Sequence, residues 1–206
     1  MSSFWNYFYK KKNSVLSASN FAKFCKKNYI IKNSKLLEIG CGNGRDAFYF
    51  CKKSIFVTAL DKSKEVIQLN KLKNKKIEFL NLDINNDKFF KIGKFDFIYA
   101  RFFLHTINKR SQIKLFENLS KIGIKNKTKI LLEFRTIKDP LYKLGKKIGK
   151  YERFTDHYRR FIDVKEIKEY FQNNIKFKII KLIEKKGLAR HKNENPVVCR
   201  LILKIK

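Results

Sequence analysis

A strand-to-helix turn built on three glycines decides most of what this chain can become. Residues Glu38-Ile39-Gly40-Cys41-Gly42-Asn43-Gly44-Arg45-Asp46 follow a short apolar run, Lys35–Ile39, and lead into a helical pattern from Arg45 to about Cys51. Glycines at alternate positions let the backbone turn sharply after an extended strand and come close to a ligand. A helix beginning there directs its free N-terminal amides and the positive end of its dipole at the same spot.

The alternation continues along the chain. Ile55–Leu60 reads as a second buried strand ending at Asp61, with Ser63 as N-cap of a helix to about Lys73. Ile77–Leu80 and Phe95–Tyr99 are expected as strands three and four, Asn108–Ile122 as a helix, and Lys129–Phe134 as strand five. Asp163–Phe171 reads as a helix. Phe177–Ile183 and Val197–Ile205 follow as strands with no room for a helix between them, so they form an antiparallel hairpin. Together these predict an α/β fold, a seven-stranded, mostly parallel sheet with an antiparallel last strand and helices on both faces. Residues 136–162 lack a clean period and read as a substrate-binding insertion. Residues 1–31 read as two amphipathic segments forming an N-terminal helical lid on a single domain spanning 1–206.

Composition narrows the setting. The four cysteines form no CxxC pair, which points to reduced thiols in a cytoplasm and away from a zinc site, so no metal is expected. No window approaches the roughly 18 apolar residues of a membrane helix. The N-terminus lacks the order of a secretion signal, and no membrane partner is expected. The net charge of +31 would suit a nucleic-acid partner. Yet only nine of the 49 basic residues are arginine, the side chain that phosphate and base recognition usually recruits. The lysine excess therefore reads as compositional, and nucleic acid is not an expected partner.

Glu38 sits two residues before the first glycine, where a carboxylate can organise the loop and help meet a cationic ligand. Asp61 and Asp83 close strands two and three. A glycine turn and one acid would also serve a dinucleotide. With Glu38, Asp83 and the terminal hairpin added, the chain after residue 30 resembles the class I S-adenosylmethionine-dependent methyltransferase family, whose sheet is Rossmann-like. The resemblance implies S-adenosyl-L-methionine as cofactor, with Asp61 on the ribose hydroxyls, Asp83 on the adenine amine and Ile84 against the ring. Gly40, Cys41, Gly42, Asn43, Lys62 and Arg101 complete the expected cofactor set.

The substrate should sit beyond the carboxyl ends of the strands, beside Arg101-Phe102-Phe103-Leu104-His105. The chain has no Asn/Asp-Pro-Pro-Tyr/Phe tetrad, which lowers base-amine methylation. Arg135, Lys138, Tyr158, Arg159 and Arg160 form a candidate anion clamp. His105 and His157 are candidate bases, with Tyr9 as a positioning group. The segments 100–105, 133–139 and 156–162, with Trp5–Tyr9, are also similar to small methyltransferases of bacterial surface-polysaccharide loci. That narrower resemblance implies N-methylation of a small phosphorylated amine, ethanolamine phosphate first, for capsular polysaccharide. The protein is expected as a monomer or homodimer. The alternatives are O-methylation of a phosphoramidate or sugar hydroxyl, an RNA methyltransferase, and a non-catalytic RNA-binding protein.

Overall fold

A computed structural model describes residues 4, 5, 7, 17–191 and 193–206. Helix α1 (Asn20–Asn28) starts at Ser19, whose hydroxyl accepts from the Ala22 amide. Then follow β1 (Lys35–Ile39), α2 (Arg45–Lys52), β2 (Phe56–Asp61), α3 (Lys64–Lys73) and β3 (Glu78–Asn81). The order continues with β4 (Phe97–Arg101), α4 (Lys109–Ile122) and β5 (Lys129–Arg135). Next come three short strands, β6 (Lys146–Lys147), β7 (Glu152–Phe154) and β8 (Tyr158–Arg160), then α5 (Val164–Gln172), β9 (Phe177–Lys185) and β10 (Val198–Ile205).

Among the described residues, seven strands form one sheet in the order β3-β2-β1-β4-β5-β10-β9. The pairs from β3 to β5 are parallel, and β10 is antiparallel to both neighbours. The order reverses at β1 and β4, which leaves a crevice at their carboxyl ends, next to the glycine turn. Alternating side chains send Leu36, Phe97 and Tyr99 to one face, against Phe21, Phe50 and Val66 of α1, α2 and α3. Leu37, Ile98 and Ala100 go to the other, against Phe116, Leu119 and Phe171 of α4 and α5.

A buried polar knot fixes the first helix to this core. Asp46 accepts from the Ser19 amide at 2.8 Å, the Ser19 hydroxyl at 2.7 Å and the Tyr99 hydroxyl at 2.8 Å. One carboxylate so joins the start of α1, the start of α2 and the middle of β4.

Two expectations are corrected. The fourth strand runs two residues later than Phe95–Tyr99, because Phe95 makes only an isolated bridge to Gly123. The Asp96 carboxylate meanwhile accepts the Lys35 amide, capping the sheet edge there. Residues 136–162 are not without regular structure. Pro140–Lys143 form a 3-10 turn, and β6, β7 and β8 make a second, antiparallel sheet.

Candidate functional site

The glycine turn closes on itself through backbone bonds. The Gly40 and Cys41 amides both donate to Leu60 O at the end of β2, at 2.9 and 3.0 Å. Gly40 has φ of 70°, and a Cβ there would lie 2.5 Å from the Phe103 ring. Glycine is thus required twice at this position, for backbone and for space. Asp61 bridges two loops, accepting from the Gly42 amide and the Ser63 amide, each at 3.0 Å. Asn70, buried on α3, donates to Gly42 O at 2.8 Å and locks the turn from behind.

Beside this turn lies a cavity of about 250 Å³. Gly40, Asp61, Lys62, Asp83 and Ile84 line it together with Trp5, Phe103 and Ser111. The five expected residues come from the ends of β1 and β2 and the loop after β3. Ile84 supplies a buried apolar wall, and the exposed Asp83 carboxylate is held by the Asn85 amide and side chain. Glu38, Cys41, Gly42, Asn43 and Arg101 do not line the cavity. Burial pushes the Cys41 thiol well up, so it packs as a neutral group. Glu38 lies behind the turn with Oε2 buried and unpartnered. Burial, then the Asp46 charge, raises its pKa well above the usual carboxylate range. Its other interactions include the Ala47 amide, so Glu38 supports the glycine turn from behind. With two carboxylates and an apolar wall along the cavity, the donor set fits S-adenosylmethionine.

Past the end of β4 the chain enters an unusual turn. Phe102 has φ of 54°, and its ring lies 4.0 Å from the Arg101 guanidinium and 5.5 Å from that of Arg135. His105 packs edge-on to the same ring at 5.3 Å. It is buried, its Nδ1 is unpartnered, and burial followed by the charges of Arg135 and Arg159 lowers its pKa well below 6.5. His157 is also lowered, by burial and Arg159, although its Nδ1 lies 3.1 Å from Asp156. Phe4 and Trp5 pack on His157 at 4.5 and 5.0 Å, which brings the N-terminal residues to this hollow. Tyr9 lies outside the described residues.

Several expected ligand-facing cations are committed elsewhere. Arg101 Nε donates to Glu133, buried between Arg101 and Arg200 at 2.9 and 2.8 Å. Arg160 is buried and donates to the carbonyls of Leu104 and Ile107 and to Gln112, so it braces the His105 turn and faces no ligand. Arg135 spends its two terminal nitrogens on Asp139 and Glu194. Lys138 pairs with Glu184 at the surface, and Tyr158 donates to Glu152. Arg159 contacts Thr155 and Asp156, and its carboxylate partner, unlike Glu133 and Asp139, is largely exposed. Phe102 and Phe103 belong to the Arg101–His105 stretch expected beside the cleft, and both line the cavity. Asn70 was not singled out from sequence, because an asparagine inside a helix leaves no readable signal.

The geometry is that of the class I S-adenosylmethionine-dependent methyltransferase fold. Residues 36–122, rather less than half of the chain, match the family model described as a methyltransferase domain. The chain is 30% identical over 124 residues to protein 235L of Invertebrate iridescent virus 6, which carries the name of a methyltransferase. That match takes in 59% of this chain and 46% of the viral protein, so it spans about half the length of the curated relative. Among solved structures, an S-adenosylmethionine-dependent methyltransferase from Clostridium acetobutylicum superposes with a TM-score of 0.71 at 16% identity over 96% of both chains. The glycopeptide N-methyltransferase MtfA, solved with S-adenosyl-L-homocysteine, superposes with a TM-score of 0.71 at 12% identity over 93% of this chain and 91% of that one.

Proposed function

We propose that the protein is an S-adenosylmethionine-dependent N-methyltransferase acting on a small phosphorylated amine, with ethanolamine phosphate as first candidate. The capsular role implied by the sequence resemblance belongs to the same proposal. One observation carries it: a buried, neutral His105 stands among Arg101, Arg135 and Arg159 at the carboxyl end of β4, beside the cofactor cavity.

Bound cofactor supplies an electrophilic methyl group on a sulfonium. Asp61 and Asp83 are placed to take ribose and adenine polar groups, and Gly40 leaves room for close backbone approach. The positive hollow attracts the phosphate of a substrate, with Arg159 the cation nearest to free engagement. The same positive field disfavours an ammonium ion, so it shifts a bound amine toward its neutral, nucleophilic form. The neutral His105 imidazole, whose Nδ1 is unpartnered, is then an acceptor that can orient the amine, and the proton released on methylation leaves to solvent. Phe4 and Trp5 cover His157 and help exclude water.

The test is methyl transfer from labelled cofactor to ethanolamine phosphate, phospho-sugars and RNA in parallel. Labelled N-methylated ethanolamine phosphate supports the reading. A labelled sugar hydroxyl or labelled RNA, with the phospho-amine untouched, overturns it.

A further inference from the structure

In a parallel sheet every strand begins along one edge, and the helices that follow the strands end there too. The cofactor cavity lies at the opposite edge. No helix of the described residues is long and apolar enough to cross a membrane.

This starting edge has two unusual properties. The first is its charge. Lys35, Lys53, Lys76, Lys94, Lys127 and Lys176 lie at the entries to β1, β2, β3, β4, β5 and β9. Beside β1 and β2 there is also a cleft between α1 and the end of α2. Lysines 23, 26, 27, 32, 52 and 53 line it together with Tyr49 and Ser54, and no acid does. At the strand entries, Asp96 is paired with Lys127 at 2.7 Å and Glu78 accepts from Thr58. None of the nine arginines stands at this edge.

The second property is apolar exposure. The four most exposed large apolar side chains of the described residues are Ile175, Leu72, Ile31 and Phe56, at 84%, 82%, 67% and 64%. All four stand at this same edge: Ile175 and Ile31 in the turns before β9 and β1, Leu72 in the last turn of α3, and Phe56 at the first residue of β2. Scattered singly, such residues need no explanation. Ile31 and Phe56 are not scattered. Their loops are bonded together, Asn33 N to Ser54 O at 2.7 Å and Phe56 N to Ser34 O at 3.0 Å, and Phe56 pairs in register with Lys35. Helix dipoles account for lysines in the last turns of α1 and α2. They account neither for lysines in the loops nor for the apolar tips among them.

We propose that this edge, centred on Ile31 and Phe56 beside the lysine cleft, docks the protein on an anionic lipid surface. Lysine heads would meet lipid phosphates while the two apolar side chains enter the acyl boundary. The lack of arginine at this edge favours a bilayer over nucleic acid, which recruits arginine for phosphate contacts. The cofactor cavity would then face away from the membrane, toward soluble substrates.

Flotation of the full chain with vesicles tests this. The protein should float with phosphatidylcholine vesicles containing roughly one part in three phosphatidylglycerol, and not with phosphatidylcholine alone. An Ile31→Ser/Phe56→Ser double variant keeps the charge and should lose about tenfold or more in partition. Phe56→Trp, a conservative change, should be quenched by lipids brominated in their acyl chains. Three results would overturn the proposal: folded protein that ignores anionic vesicles, unchanged partition of the double variant, or polyuridylate binding without vesicle binding.

Discussion

Gly40 shows how much a single residue decides. Its left-handed backbone alone costs any side chain about 1–2 kcal/mol, and a Cβ also meets the Phe103 ring. Gly40→Ala should therefore lower the melting temperature and abolish the calorimetric heat of S-adenosylmethionine binding. The two neighbouring arginines of β8 should part company. Arg160→Met leaves two carbonyls and Gln112 unsatisfied, each worth about 1–3 kcal/mol when buried, so urea unfolding should detect a large stability loss. Arg159→Ala, in a more open position, should raise the substrate KM and leave urea stability within about 0.5 kcal/mol. His105 gives a pH signature. Its folded pKa is lowered, so above 6.5 both states are neutral and it contributes no pH dependence. As pH falls below 6.5 the unfolded chain takes the proton first, and folding weakens. His157 acts in the same direction. A His105→Asn variant should show a shallower stability loss between pH 6.5 and acid than the parent protein, measured by denaturant titration.

At the scale of elements, the Asp46 knot is what makes α1 part of the fold rather than an appendage. Asp46→Asn swaps one acceptor for a donor facing the Ser19 and Tyr99 hydroxyls. Hydrogen exchange should then speed up in α1 before it does in β4, because the sheet still holds Tyr99. Elements with strong period or clear caps were legible in the sequence: β1, β2, α3 with Ser63, α4 and the final hairpin. The position of β4 was not, because pairing at Phe95 is decided by what Asp96 bonds across the sheet edge. Nor was the small sheet of β6, β7 and β8. Strands of two or three residues have no period to read, and they form only because a hairpin partner is near.

For the whole molecule, a net charge of +31 repels itself in the folded state. Moderate sodium chloride should raise the melting temperature by screening that repulsion. The sequence by itself determined the sheet class and the cofactor turn, because glycine geometry, strand alternation and acids at strand ends are local properties with fixed spacing. Tertiary structure alone decided which cations face the hollow. Arg135, Lys138 and Arg160 look alike in the sequence as free positive groups, and each found a partner distant in sequence or a carbonyl once the chain closed. It also gathered lysines far apart in sequence onto one edge that holds no arginine, because a parallel sheet brings all its strand entries together there.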